Sequence, residues 1–241
     1  MIRFFASPHD TSDGLIQLGD DDAAHIRSLR LRPSELFSIC DGEGLDYICH
    51  LGERGGGSLA EIVEVCPSRG EPSVSCTVYI ALAKGDRLEY AVQKSVELGA
   101  SGVVLFPSAR CVAVPDDMSK KTARLQRISL ETAKQCGRGR VPVVSALRTF
   151  GEAIKLASEA ALPLFFYEDE EELRLKTVLT QSGTMSSISI VTGPEGGFEP
   201  SEAEHARSAG MRTVMLGPRI LRAETAPAAA LAAVMFYTDN L

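Results

Sequence analysis

Residues 187–200 read SISIVTGPEGGFEP, and this stretch is the most informative part of the sequence about the fold. An apolar run that ends near Thr192 has the composition of a buried strand, and a glycine-rich loop follows it. After Pro200, the pattern Ser201-Glu-Ala-Glu204 is typical of a capped helix start. In open α/β sheets, ligands bind at such turns beyond the carboxyl ends of strands. The glycines let the backbone approach a ligand closely, although the same composition also suits an ordinary turn.

The alternation of strands and helices extends to both sides of this stretch. Such alternation predicts an α/β fold with a mostly parallel sheet that is covered by helices on both faces. We predict strands at 76–83, 102–108, 163–168, 187–193 and 212–217, and helices at about 86–98, 119–136, 150–161, 201–209 and 225–238.

The first 70 residues follow a different pattern. Three runs rich in strand formers are separated by glycine-containing turns, and one short helix at about 20–30 precedes them. The runs are 36–40, 46–51 and 59–65, and a small β-barrel is their natural assembly. Residues 67–72 have the composition of a linker. The sequence therefore predicts two domains, at 1–70 and at 73–241.

The composition excludes several classes of protein. Hydrophobic residues make up 44% of the 241 residues, yet no apolar run approaches the roughly 20 residues that cross a bilayer. The N-terminus has no apolar signal region, so we expect a soluble cytoplasmic protein without a membrane partner. The six cysteines are scattered and no cluster of histidines accompanies them, which predicts reduced thiols and no metal site.

The charge is unevenly distributed. The chain has a net charge of −7, but residues 84–148 hold 12 basic and 6 acidic side chains. Screening confines electrostatic attraction to about 10 Å, so a local basic patch can bind phosphate on an acidic protein. A solvated helix face is the alternative interpretation. The basic side chains concerned are Lys120, Lys121, Arg124, Arg127, Lys134, Arg138, Arg140 and Arg148.

A second candidate loop, LGPRILRAETA, covers residues 216–226. It follows a predicted strand and precedes an alanine-rich helix, so it can form the other wall of a pocket. Its arginines, Arg219 and Arg222, either face a substrate or form a salt bridge with Glu224 or Glu195. Neither loop contains G-x-G-x-x-G or a P-loop, which argues against a nucleotide-dependent oxidoreductase and against triphosphate binding.

A third segment, ETAKQCGRGRVP, covers residues 131–142. Arginines spaced by glycine can present planar, bidentate donors to a phosphate or a base edge. The alternative is an ordinary helix C-terminus with basic residues and a C-cap glycine.

Together, these motifs closely resemble the bacterial 16S rRNA uracil-N3 methyltransferases of the SPOUT superfamily. The resemblance covers nearly the whole chain, including residues 25–30. It departs from the family pattern in the first barrel strands, which are hard to align, and at Pro227. It implies an N-terminal PUA-like β-barrel that binds RNA and a SPOUT-type α/β domain with a C-terminal trefoil knot, a rare exception among folds. It also implies S-adenosylmethionine as cofactor, 16S rRNA or the small ribosomal subunit as partner, and a homodimer. The motifs are GPEGGF (193–198), LGPRILRAETA (216–226), KQCGRGRVP (134–142), QKSVELG (93–99) and PSARC (107–111).

By resemblance, the cofactor-binding residues are Thr192, Gly193, Pro194, Glu195, Gly196, Gly197, Leu216, Gly217, Ile220, Leu221, Arg222, Thr225 and Ala226. The catalytic roles are a hypothesis from the chemistry of the reaction, because uracil N3 carries a proton that must be removed. We expect Arg219 or Arg222 to stabilise charge on the uracil oxygens, and Glu224 to position an arginine or accept the proton, with Glu195 in reserve. We assign contacts with RNA to Arg27, Arg30, Lys120, Lys121, Arg124, Arg138 and Arg140.

Two other functions stay open at this stage. A SPOUT enzyme that methylates tRNA or a ribose hydroxyl would have similar loops, but the segments at 134–142 and 93–99 favour the uracil-N3 family. A non-catalytic RNA-binding or ribosome-assembly factor would keep the fold, but the intact loops argue against lost cofactor binding. A target uridine must also be presented unstacked, and the sequence shows no obvious aromatic platform for it.

Overall fold

The computed structural model describes residues 2–5, 11–12, 14–32, 34–52, 58–112, 114–115 and 117–241. The chain divides into two compact units. The first comprises Met1–Glu71 together with Ala133–Val141, and the second comprises Pro72–Thr132 together with Pro142–Leu241. The sequence did not predict that Ala133–Val141 would belong with the N-terminal part of the chain.

The first unit is built on a mixed six-stranded sheet. Its strand order is β1-β4-β5-β6-β3-β2, with β1 parallel to β4 and the other pairs antiparallel. Helix α1 packs Ile26 into a core that contains Phe4, Ile16, Phe37 and Ile39. The short strands β1, β2 and β3 were not predicted. The elements are β1 (Arg3–Phe5), β2 (Thr11–Ser12), β3 (Leu15–Gln17), α1 (Asp20–Leu29), β4 (Phe37–Cys40), β5 (Leu45–Leu51) and β6 (Leu59–Pro67).

The second unit contains a six-stranded sheet in which all strands are parallel. The order is β12-β10-β11-β7-β8-β9, so the predicted α/β fold is confirmed. Strand β9 and helix α5 were not predicted. The strands are β7 (Ser75–Ala81), β8 (Gly102–Phe106), β9 (Val143–Ala146), β10 (Leu162–Phe166), β11 (Ser187–Thr192) and β12 (Arg212–Val214). The helices are α2 (Arg87–Glu97), α3 (Ser119–Cys136), α4 (Phe150–Ala157), α5 (Leu175–Ser182), α6 (Pro200–Ser208) and α7 (Thr225–Tyr237).

The start of α6 differs from the prediction. Ser201 and Glu204 do not form the capping box, because Pro200 is the first helical residue and the cap falls on Glu199. Glu202 completes the box and is buried, and its carboxylate also accepts a hydrogen bond from the Ala109 amide at 2.9 Å. The helix start is therefore tied to the loop that follows β8.

The path of the chain after β12 bears on the predicted knot. Met215 donates its amide to the Leu173 carbonyl at 2.9 Å, beside the edge strand. The chain then returns to the middle of the sheet, where α7 packs against α2, β7 and β11. A trefoil knot needs such a return, and the knot itself stays a prediction.

Two findings concern membranes and metals. No helix of the described residues is long and apolar enough to cross a membrane. In the same part of the chain, no three His, Cys, Asp or Glu side chains are placed to share a metal ion. All six cysteines are free thiols, and burial raises the pKa of Cys49 and of Cys76 to about 12.

Candidate active site

A cavity of about 1000 Å³ lies at the carboxyl ends of the parallel strands. The segments that follow β10, β11 and β12 form most of its wall. Arg87, at the start of α2, and Arg110, after β8, complete it. This is the edge at which α/β sheets bind ligands, because loops there converge without closing over the strand ends.

The structure brings the two predicted loops together around this cavity. Of the thirteen residues predicted to hold the cofactor, twelve line it. The exception is Thr225, which lines a neighbouring recess. The Thr192 hydroxyl donates to the Tyr79 carbonyl at 3.4 Å, so this side chain turns into the sheet. The twelve are Thr192, Gly193, Pro194, Glu195, Gly196, Gly197, Leu216, Gly217, Ile220, Leu221, Arg222 and Ala226.

Gly197 shapes the loop after β11. Its φ is 69°, in the left-handed region that favours glycine, and a Cβ atom at this position would overlap the Glu168 carboxylate. Glu168 accepts a hydrogen bond from the Phe198 amide at 2.8 Å, which fixes the end of the loop. Burial raises the pKa of the Glu168 carboxyl, although backbone hydrogen bonds oppose the effect.

Glu168 was not predicted from the sequence as a site residue. The signal for it was present, because the predicted strand at 163–168 ends there and parallel strands share one carboxyl edge. The same holds for Arg87 and Arg110, which follow two other predicted strands. The segments that carry these three residues lack a glycine cluster, so their composition alone does not mark them as ligand-binding.

Arg87 connects the two glutamates that were predicted to take part in catalysis. Its guanidinium pairs with Glu195, and its Nε lies 3.7 Å from Oε2 of Glu224. The amide of Lys84 donates to Glu195 at 2.9 Å. The sequence left open a salt bridge from Arg219 or Arg222 to one of these carboxylates. Among the described residues, Arg87 forms both ion pairs instead, so that alternative is wrong. The sequence could not show this, because Arg87 and Glu224 are far apart along the chain.

The two glutamates differ in the hydrogen bonds that they accept. Burial raises the pKa of Glu195, but the Lys84 amide and Arg87 outweigh it and hold the pKa below its usual value. Glu195 is therefore a weak proton acceptor. In the described part of the chain, Oε2 of Glu224 is buried and accepts no hydrogen bond, because Arg87 is beyond hydrogen-bonding distance. An unsatisfied buried acceptor is costly, so a donor from a ligand would be stabilised there.

The arginines of the second loop lie at the rim of the cavity. Arg219 and Arg222 are exposed, and between them Ile220 is 87% exposed. Both arginines line the cavity, and neither makes an ion pair with another described residue. Their guanidinium groups are therefore available to a substrate that enters from the solvent side.

Comparison with known proteins identifies the family. The sequence model of the RNA methyltransferase domain matches residues 70–235. The chain belongs to the RNA methyltransferase family. Similar relatives are the ribosomal RNA small subunit methyltransferases E of Synechocystis, which is 35% identical over 96% of this chain and 76% of its own length, and of Bacillus subtilis, which is 30% identical over 90% and 87%.

Solved structures of methyltransferases agree with this assignment. The ribosomal RNA small subunit methyltransferase E of Neisseria gonorrhoeae, bound to S-adenosyl methionine, is 32% identical. The match has a TM-score of 0.84 and covers 98% of this chain and 97% of that one. A probable rRNA-methyltransferase of Porphyromonas gingivalis is 27% identical, with a TM-score of 0.81 over 99% of both chains. The fold of this chain is thus that of the methyltransferase family.

Several predicted RNA-binding residues of this methyltransferase are on the surface. Arg27 and Arg30 are exposed at the end of α1. Lys120 is exposed and Lys121 is half-buried in the first turn of α3. Each of these four cations can reach a phosphate without breaking a contact that the structure shows.

Two further predicted RNA-binding arginines have partners of their own. Arg124 is exposed on α3 and pairs with Glu89 at 2.8 Å. Arg140 is exposed and donates to the carbonyl of Glu43 at 3.0 Å. A surface ion pair contributes little to stability, so RNA could recruit Arg124 at small cost.

The prediction that Arg138 binds RNA is wrong. Its side chain is 4% exposed, and its guanidinium donates to both carboxylate oxygens of Glu71 at 2.9 Å. Glu71 also accepts hydrogen bonds from the amides of Gly139 and Arg140. The chain turns at Gly137, whose φ is 80°, and this turn carries Arg138 inward. Arg138 is a structural residue of the first unit.

Proposed function

We propose that this chain transfers a methyl group from S-adenosylmethionine to N3 of a uracil in the RNA of the small ribosomal subunit. One observation carries the proposal. This chain belongs to the RNA methyltransferase family, and the two loops that the resemblance assigns to the cofactor line a cavity of about 1000 Å³ at the strand ends. The S-adenosyl methionine in the Neisseria structure supports the choice of cofactor. The N3 position follows from the sequence resemblance.

The chemistry of the cavity fits S-adenosylmethionine. Gly193, Gly196 and Gly197 offer backbone groups without side chains, which suits close contact with a ligand. Leu216 and Leu221 offer apolar surface to an adenine ring, and the carboxylate of Glu168 suits a cationic or hydroxyl group. The volume is at the upper end of the roughly 300–1,000 Å³ of small-molecule pockets.

The residues of this chain then have to prepare the uracil. When bound, the cofactor supplies an electrophilic methyl group, and correct alignment is the main requirement for its transfer. Uracil N3 carries a proton at neutral pH, and Glu224 accepts it. Arg219 and Arg222 offset the negative charge that develops on the uracil oxygens. Arg87 holds Glu224 and Glu195 in place from the start of α2.

The test is transfer of a radiolabelled methyl group to small ribosomal subunits that lack the modification, followed by nucleoside analysis. We expect a peak of 3-methyluridine. Label in a ribose-methylated nucleoside, or in added tRNA alone, would contradict the proposal and favour the alternative SPOUT reactions. Cofactor binding without any transfer would favour a non-catalytic RNA-binding protein.

We propose that the enzyme is a cytoplasmic homodimer. The second unit exposes large apolar side chains that a partner copy can cover, notably Ile220, Phe236 and Tyr237. The resemblance places the active sites near the subunit interface, which agrees with the exposure of Ile220 at the cavity rim. Light scattering should give twice the mass of the 25.8 kDa chain.

We also propose that the first unit, as a PUA-like domain, and the start of α3 bind the RNA backbone. We expect that changing Lys120 and Lys121 to Ala together weakens RNA binding and makes its salt dependence shallower by up to about 0.7 for each phosphate that these lysines neutralise. Cofactor affinity should not change. The matched control changes Lys155 and Lys176, which are exposed on α4 and α5. If RNA binding depended on salt concentration equally in both double variants, Lys120 and Lys121 would be ordinary solvent-exposed residues without a role in RNA binding.

The glycine loop gives a prediction about the cofactor. We expect Gly197→Ala to weaken S-adenosylmethionine binding by about fivefold or more, because the strain of about 1 kcal/mol or more at positive φ and the overlap with Glu168 both favour a different shape of the loop. Isothermal titration calorimetry measures the change. The control is Gly151→Ala in α4, where an added Cβ makes only an ordinary contact. Equal affinity in the two variants would remove the loop from the cofactor site.

A further inference from the structure

A second recess lies beside the cofactor cavity. It has a volume of about 630 Å³, and it is lined by residues 84–87, Tyr90, Glu224 and Thr225. Arg87 and Glu224 line both spaces, so the recess and the cavity share one wall. That wall contains the carboxylate proposed to accept the N3 proton. A group held in the recess would therefore lie next to both Glu224 and the cofactor.

Tyr90 is the unusual member of the recess. Helix α2 buries Leu88, Ala91, Val92, Ser95 and Val96, and Tyr90 lies off this apolar face. Its side chain is 48% exposed, so the ring is not part of the core that the helix covers. It stands one turn after Arg87, and residues three apart on a helix are neighbours. Lys94 lies over the ring, 5.7 Å from its centroid, which helps to orient it.

The electrostatics of the recess suit a uracil. The first turns of α2 and α7 both reach it, and the positive ends of helix dipoles favour negative charge. Lys84 is exposed there, and its ammonium can meet the phosphate that flanks a base. Oε2 of Glu224 accepts no hydrogen bond from the described residues, and the N3–H of a uracil is a donor. A planar ring, a cation and an acceptor are thus placed in one space.

We propose that this recess receives the unstacked target uridine and that the base stacks on Tyr90. The inference rests on the proposed function and adds the nucleotide site to it. Enzymes that modify a base extrude it from its stack and hold it against aromatic side chains. Tyr90 acts as a binding and orienting residue here, and it takes no part in the proton transfer.

The experiment compares Tyr90→Ala, Tyr90→Leu and Tyr90→Phe with wild type in methyl transfer to unmodified small subunits. Stacking on an aromatic ring contributes enough to binding that its loss should lower kcat/KM for the RNA by about tenfold or more in the Ala and Leu variants. The Phe variant keeps the ring and should stay within about twofold of wild type. The Kd for S-adenosylmethionine and the molecular mass in solution should be unchanged in all three.

Several outcomes would overturn the inference. One is full activity of Tyr90→Ala, and another is an equal loss of activity in the Phe and Ala variants. Weaker cofactor binding would also overturn it. So would a change of oligomeric state, which would make Tyr90 an interface residue. A wild-type protein that methylates no RNA would instead refute the proposed function, and this inference with it. A methylating wild type with an equally active Tyr90→Ala refutes the inference alone.

Discussion

Glu224→Gln is expected to lower kcat for methyl transfer by about 100- to 10,000-fold, the range in which a general base contributes to a reaction. The amide keeps the size and planarity of the carboxylate, but it cannot accept the N3 proton. Oε2 of Glu224 has no hydrogen-bond donor among the described residues, so a ligand N–H is its natural partner. Single-turnover transfer to saturating small subunits measures the change.

The controls for this variant come from the same cavity. Glu171 is an exposed carboxylate that lines it, and Glu171→Gln should keep kcat within about twofold. Cofactor affinity of Glu224→Gln, from calorimetry, should match that of wild type. If Glu224→Gln were fully active and Glu195→Gln were not, the roles of the two glutamates would have to be exchanged.

The sheet of the second unit could be predicted because its strands are nearly continuous apolar runs. Strand β11 buries five of its six residues, and such runs are distinctive in a sequence. Strand β9 has only four residues and exposes Val143, while α5 has eight residues with several polar ones. Both are too short for their periodicity to be distinctive.

The sequence predicted which loops form the candidate site, but it did not predict which side chains contact each other there. The residues that line the cavity follow strand ends, and the order of strands and loops along the chain is enough to suggest this. The partner of Glu224 is Arg87, which comes from another element more than a hundred residues away. No local pattern predicts such a pair, so the sequence offered only the arginines of the same loop.

The error at Arg138 has a similar cause. The GRGR segment at 137–140 has the composition of a phosphate-binding surface, and charge alone does not distinguish an exposed arginine from a buried one. The carboxylate that neutralises Arg138 is on Glu71, which lies in the stretch predicted to be a linker. Burial of an arginine depends on such a distant partner.

Arg138→Ala is expected to destabilise the first unit by about 3 to 5 kcal/mol, as is usual when one partner of a buried ion pair is removed. Among the described residues, Glu71 would be left with the amides of Gly139 and Arg140 as its donors. The Arg138 carbonyl accepts a hydrogen bond from Arg3 at 2.9 Å, so the substitution should also destabilise the paired strands β1 and β4. Hydrogen exchange of the β4 and β5 amides, followed by mass spectrometry, reports the change in this unit.

Two further variants separate the ion pair from simple loss of charge. Arg138→Lys keeps the charge but lacks the planar group that forms two parallel hydrogen bonds with Glu71, so we expect an intermediate loss of protection. Arg127→Ala removes an exposed arginine of α3 and should change stability by less than about 0.5 kcal/mol. If Arg138→Ala left exchange unchanged but weakened RNA binding and lowered its salt dependence, the guanidinium would belong to the RNA surface after all. The burial of Arg138 argues for the first result, because a side chain that is 4% exposed offers almost no surface to a phosphate.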